Sequence, residues 1–458
     1  MKPKRLPVAV KVLAAAAIFT GLTLALLGRW NIWGLSYTIR VIVLVLAVLS
    51  GGGYLFWRAV RQRASLYLTG IEWVFIGCLA AFTASWLAAD DQPVAIEYLI
   101  AILGYLLLFY LMMDAFIIGL SRKAVLLGMI VFTGIVTLQA AGEVYNVYTS
   151  WWQAAGSWRA QPPFPYRLTG LMGHANPYMS MMNLAAPFTL MWFFKTRSFL
   201  GRLGSGLWLA LFIFTVPFSS SRGGMLALAA WVGILFLFWA WDNRIWVRLI
   251  DLLKSRPVLT AVLGLLAAAA GIFAVIQVWG FFNAHPTHGS VLSSRAGFWS
   301  LATAIWQNSP YYPWLGAGPG RFVLEYQGLE GGYPYSFWAM HAHGLIFHTL
   351  AEFGLVGVTA LVTLTGAGLW KLWRFYQDSR PEMRHWNQAI LAAVAGWLAH
   401  GLFEDFTWWR ESFLLIILLA WIATSTIHSL RSRPGVSLNI PWLPLLILVG
   451  LQGVRLWA

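Results

Sequence analysis

Apolar runs long enough to cross a bilayer recur along this chain, and they leave few folds open to it. A helix rises about 1.5 Å per residue, so about 20 apolar residues cover the hydrocarbon core. Such runs fall at roughly 8–28, 37–57, 71–88, 97–119, 124–141, 178–194, 205–219, 223–241, 257–279, 343–370, 387–403 and 412–428. A last run within 440–457, PWLPLLILVGLQGVRLW, is short and reads either as a thirteenth span or as an interfacial helix. Lipid offers backbone groups no partners, so each span must be helical, and the strand alternation of a membrane barrel is missing. The chain is 59% hydrophobic and 10% charged, more apolar than a soluble domain of 458 residues needs. The expectation is an all-α polytopic membrane protein, one integral membrane domain over 1–458 with about 12 transmembrane helices. Many of its 28 Trp flank the apolar runs, as interfacial anchors do. The single cysteine, Cys78, excludes an intrachain disulfide.

Charge sets the expected orientation. The first run could pass for a signal peptide, but counting it as a retained anchor makes the downstream charges alternate. With Lys2, Lys4 and Arg5 in the cytoplasm, inside segments carry Arg58, Arg61 and Arg63; Arg122 and Lys123; Lys195, Arg197 and Arg202. Further on they carry Arg244, Arg248, Lys254 and Arg256; Lys371, Arg374, Arg380 and Arg384; Arg431 and Arg433. Every second loop is basic, as the positive-inside rule requires, so the +15 net charge calls for no nucleic acid partner. The cytoplasmic loops are short and offer no phosphate loop for a nucleotide.

The outward segments hold no lysine but do hold Arg159, Arg167, Arg222, Arg295, Arg321 and Arg410. A guanidinium presents a planar fork of donors suited to phosphate or carboxylate. The bland alternative is a side chain snorkelling to lipid headgroups. Arg222 lies in FSSSRGGMLAL, a very short turn between two spans, framed by Ser219, Ser220, Ser221 and Gly223. Small neighbours allow close approach, and the turn opens a helix whose N-terminus favours an anion.

Two outward loops are long enough to form structure, 142–177 and 280–342. Within the second, SRAGFWSLATAIWQN has Ser294 as N-cap and apolar residues at helical spacing, so it reads as an amphipathic surface helix opened by Arg295. GAGPGRF, which ends at Arg321 and Phe322, is a glycine turn. In HAHGLIFHTLAEFGLVGV, His341 and His343 stand at the mouth of a span, where an imidazole can exchange protons near neutral pH. His348 and Glu352 share a helix face four residues apart, and read as a buried polar pair in preference to a metal site. No metal-ligand spacing accompanies them, and no cofactor is expected.

Taken together, SSSRGG (219–224), SRAGFW (294–299), GAGPG (316–320) and HGLIFHTLAEFGLVG (343–357) resemble the O-antigen ligase and polymerase superfamily of bacterial envelopes. RLTGLMGHANPYM (167–179) is similar to that family's first outer motif, and the resemblance runs from about 165 to 410. It implies a metal-independent, inverting glycosyltransferase of the membrane-embedded (GT-C-like) kind in the inner membrane, with its site facing the periplasm. The donor would be a glycan on undecaprenyl diphosphate, and the acceptor a sugar hydroxyl of lipid A core. By the same resemblance Arg222 and Arg295 match the two arginines that hold the donor diphosphate, and His343 the histidine that assists the acceptor hydroxyl. Arg167, Asn176, Arg321, His341 and Glu352 are secondary, substrate-binding or positioning candidates. The family's histidine is commonly followed by Asn; here Gly344 follows, and His341 stands two residues before, which leaves the base open between His341 and His343. The same residues would serve a polymerase, whose acceptor is a second lipid-linked glycan, or an oligosaccharyltransferase, whose acceptor is a protein. A lipid-glycan transporter would call for an internal repeat and charges at the bilayer midplane, and the cationic residues sit at span ends.

Overall fold

A computed structural model of the chain describes residues 72–87, 108–117, 120–157, 168, 174–245, 295–308, 312–322, 342–404 and 412–430, with isolated positions between 247 and 265. The expected spans at 8–28 and 37–57, most of that at 257–279, the first half of that at 97–119, residues 158–167 and 169–173 of the first outward loop, most of the second outward loop and the run 440–457 lie outside the described residues, which contain no strand.

The helices, in chain order, are α1 (Glu72–Leu87), α2 (Leu108–Ile117), α3 (Arg122–Ala155), α4 (Ala175–Lys195), α5 (Phe199–Ser219) and α6 (Arg222–Asp242). There follow α7 (Arg295–Gln307), α8 (Tyr312–Leu315), α9 (Leu345–Gln377), α10 (Pro381–Gly401) and α11 (Ser412–Leu430). Four of these, α3, α5, α6 and α9, are long and apolar enough to cross a membrane. Among the described residues the fold is all helical, with apolar helices of membrane-spanning length; α4 and α6 lie close to their expected boundaries, and α5 starts six residues earlier than its apolar run.

α3 differs from its apolar run. Ser121 caps it by accepting from the Ala124 N–H, and it continues past 141 to Ala155, where Gly156 closes it at φ 65°. At 34 residues it is about 50 Å long, more than the roughly 30 Å hydrocarbon core, so part of it must project beyond the membrane. Residues 142–155 of the first expected loop are therefore helical.

α4 is the spine of the bundle. It is buried continuously from Ala175 to Thr189, with α5, α6 and α10 packed around it. Its polar side chains reach neighbouring helices instead of lipid: Tyr178 Oη meets Thr215 Oγ1 at 2.7 Å, and Asn183 accepts from Trp231 Nε1 at 3.0 Å while donating to the Gly224 carbonyl at 2.9 Å. Interhelical hydrogen bonds of this kind contribute about 1 kcal/mol each and fix the register of the helices. At one end of the bundle Gln388 Nε2 donates to Asp242 Oδ2 at 3.0 Å and to Tyr376 Oη at 3.3 Å, tying α6, α9 and α10 together. The basic residues Arg244, Arg374, Arg380 and Arg384 belong to the same helix ends.

α9 is broken. Gly354 has φ 61° and ψ −160°, a conformation essentially restricted to glycine. The break receives the turn that follows α8: the Ala317 N–H donates to the Ala351 carbonyl at 2.8 Å and the Gly318 N–H to the Glu352 carbonyl at 3.0 Å. A Cβ on Gly354 would lie 2.5 Å from the Trp314 backbone, and one on Gly316 (φ 72°) 2.2 Å from the Glu352 carbonyl carbon. Two backbones thus meet where neither has room for a side chain.

Candidate functional site

At the end opposite Asp242 and Gln388, the starts of α4, α6 and α9 converge with the end of α10. Each turn there is built by its own sequence. Ser219 Oγ accepts from the Ser221 N–H at 3.2 Å, and Ser220 turns the chain in the left-handed region at φ 49°. Ser221 caps α6 by accepting from the Gly224 N–H at 3.1 Å, so Arg222 is the first residue of a helix, and it is half-buried. Gly223 and Gly224 leave no side-chain space: their Cβ positions would lie 2.4 Å from His400 Cδ2 and 2.5 Å from Met179 Cβ. The small residues around Arg222 therefore seat its helix against α10 and α4. Leu168, the residue after Arg167, is buried and donates its N–H to the Phe218 carbonyl at 2.9 Å, beside the same turn. Arg167 itself lies outside the described residues.

His174 caps α4, its Nδ1 accepting from the Asn176 N–H at 3.3 Å. Asn176 is buried, with Oδ1 accepting from Ser221 Oγ at 2.7 Å and Nδ2 donating to Glu404 Oε2. Glu404 comes just after α10 and is fully buried. Its other oxygen, Oε1, meets His343 Nδ1 at 3.0 Å. An ionised Glu404 accepts at both oxygens, which puts a proton on Nδ1 of His343 and leaves Nε2 turned away from the carboxylate.

His343 is held in the left-handed region at φ 48°, where non-glycine residues are uncommon. Its carbonyl accepts from Trp299 Nε1 at 3.2 Å and its ring packs on Phe298 at 4.9 Å. Both aromatics lie on α7, the surface helix expected from the sequence, which begins at Arg295 as read. The proposed Ser294 cap lies outside the described residues. Trp299 also stacks on Phe347 at 4.8 Å, which ties α7 to the first turn of α9. The imidazole retains 20% exposure while Glu404 has 1%, so the ring can meet a ligand and its carboxylate cannot. Strained backbone, a buried orienting carboxylate and an accessible ring form the environment of a functional histidine. Gly344, in place of the expected Asn, has a physical reason: its Cβ would lie 2.9 Å from Trp299 Nε1. His341 lies outside the described residues.

Glu352 is placed elsewhere. It is fully buried on α9, with Oε1 accepting from the Phe322 N–H at 3.3 Å and Oε2 3.3 Å from His348 Nε2. Its carbonyl takes the Gly318 N–H and Ser85 Oγ, the latter at 2.7 Å. This pair fastens the turn carrying Arg321 to α9 and α1, the buried polar pair read from the sequence. Arg321, half-buried, follows the turn and donates its N–H to the Gly318 carbonyl at 3.2 Å.

The arrangement joins Arg222, Asn176 and His343 at one end of the bundle, through Ser221 and Glu404. Sequence reading missed Glu404. Its signal was an acid immediately after an apolar run, in GLFEDFTWW, on the side where the arginines are found. No curated protein matches the chain. Residues 207–362 match the family model described as O-antigen ligase, a stretch that includes Arg222, Arg295, Arg321, His343 and Glu352 and leaves Asn176 and Glu404 outside. Over this stretch the chain is similar to the O-antigen ligase family, which carries ligase- or polymerase-type activity, as the motifs implied.

Proposed function

We propose that the chain is a membrane-embedded glycosyltransferase that moves a glycan from undecaprenyl diphosphate to a sugar hydroxyl of lipid A core, on the outer face of the bacterial inner membrane. The observation that carries this reading is the buried Glu404 against Nδ1 of a partly exposed His343, on the bundle end where Arg222 opens α6. Carboxylate-oriented imidazole is a general base, and its Nε2 is suited to take the proton of the acceptor hydroxyl. The acceptor oxygen attacks the anomeric carbon, the bond from that carbon to the diphosphate oxygen breaks, and the electron pair leaves with the lipid diphosphate. In-line attack inverts the anomeric centre. Arg222 and Arg295 serve as the fork donors that stabilise charge growing on the leaving phosphate, without a metal. Arg321 and Arg167 assist in binding the donor.

The test uses purified protein with undecaprenyl-diphosphate-linked glycan, chelator, no nucleotide, and either lipid A core or excess donor as acceptor. The wild type should glycosylate lipid A core. Arg222→Ala, Arg295→Ala and His343→Ala should each lose on the order of 100-fold or more. Longer lipid-linked chains in place of that product would make the protein a polymerase. Product undiminished in the three variants would refute the site.

A further inference from the structure

Ser221, Asn176, Glu404 and His343 come from four separate segments, yet they form one hydrogen-bonded chain whose donors converge on the Glu404 carboxylate from both sides. Glu404 only accepts, so Asn176 must turn Nδ2 toward it; a flipped amide would set Oδ1 against Oε2. With Nδ2 committed, Oδ1 faces Ser221, whose one hydroxyl proton goes to it at 2.7 Å. Ser221 Oγ also accepts the Gly224 N–H, so this serine is at once the cap of the helix that Arg222 opens and the last link of the chain. On the other side the carboxylate demands a proton on His343 Nδ1. Ser221, Asn176 and Glu404 are all buried to within 2% exposure, so water does not compete for these bonds.

We propose that Asn176 and Ser221 are positioning residues for the reaction, coupling the turn that carries Arg222 to the tautomer and orientation of the His343 base. This rests on the reading of the site given above. The donor-phosphate side and the proton-acceptor side of the reaction are held in register by one chain of side chains. A displacement of the 219–222 turn is therefore felt at His343 through this chain. Neither Asn176 nor Ser221 need touch substrate for this.

A double-mutant cycle in kcat between Ser221→Ala and Glu404→Gln tests the coupling, because Asn176 bridges the two side chains. The double variant should be at least about fivefold more active than the product of the two single losses predicts. In an Asn176→Ala background the two losses should become independent. A second readout needs no turnover: protein labelled with ¹⁵N-histidine in detergent micelles, the His343 signals being assigned by their loss in His343→Gln. The wild type should show Nδ1 protonated and Nε2 bare. Ser221→Ala, which deletes one buried hydroxyl two links away, should mix the tautomers. Multiplicative losses in the cycle, or His343 signals in Ser221→Ala that coincide with wild type, overturn the coupling. A wild type that transfers glycan to neither acceptor would instead sink the proposed function, and the histidine signals would still decide whether the coupling exists.

Discussion

Gly354→Ala should be one of the most damaging single-methyl additions in this bundle, and the reason is local. At φ 61° and ψ −160° any residue but glycine is strained by roughly 1–3 kcal/mol. The added Cβ would also sit 2.5 Å from the Trp314 carbonyl carbon and oxygen and 2.6 Å from the Gly316 nitrogen. All three are backbone atoms, so no rotamer change relieves the contact. The turn after α8 must lift away from α9, and the bonds from the Ala317 and Gly318 N–H groups go with it, at about 1 kcal/mol each. The expected loss is about 3–5 kcal/mol. Gly366→Ala is the control, on the same helix with nothing within 4 Å of its Cβ. It should match or slightly exceed the wild type, because alanine favours the helical backbone. Thermal unfolding of both variants in one detergent should put Gly354→Ala lower by on the order of 5 °C. Coincident melting of the two variants would refute the account of the break.

Other substitutions probe the remaining joints. Glu352→Ala should destabilise by about 3 kcal/mol, because it strands the buried His348 and the Phe322 N–H, whereas Glu352→Gln keeps an acceptor and should lose far less; the same melting assay compares them. A double-mutant cycle between Asn183→Leu and Trp231→Phe should return a coupling of about 1 kcal/mol from their 3.0 Å hydrogen bond.

Where hydropathy sets an element, the sequence was enough to find it. α4, α6 and α7 begin and end close to where apolar periodicity put them, and α5 ends where expected but starts six residues earlier; at the α5–α6 turn Ser221 both ends the turn and caps α6. The break at Gly354 was hidden because LAEFGLVGV is apolar on both sides of it. What bends the helix is a tertiary partner, the backbone of Trp314 and Gly316. The extension of α3 to Ala155 was hidden for the opposite reason, since EVYNVYTSWWQAA leaves the hydrophobic pattern while remaining helical. Arg222 and His343 were legible because each is a charged or titratable residue at the mouth of a span. Glu404 was not, because an acid beside Asp405 and two tryptophans reads as a solvated helix end. Only the approach of Asn176 and His343 from distant parts of the chain gives it a buried role.

The discontinuity in α9 also resets the phase of the helix. In an unbroken helix the face that carries His348 and Glu352 inward would return at four-residue steps down the whole length, and the choice of inward residues near His343 would bind the choice far below. Here Leu345, His348, Thr349, Ala351 and Glu352 are buried above the break, while below it Leu355, Val356, Val362, Leu369 and Trp370 are exposed and Leu372, Phe375 and Tyr376 are buried. The two halves are free to answer to different neighbours, the upper one to a polar turn and the lower one to α10, which Tyr376 meets, and to an exposed apolar face. One long helix thereby carries two independent periodicities, and changes at the exposed apolar positions of the lower half can accumulate without turning the imidazole half of the helix away from its partners.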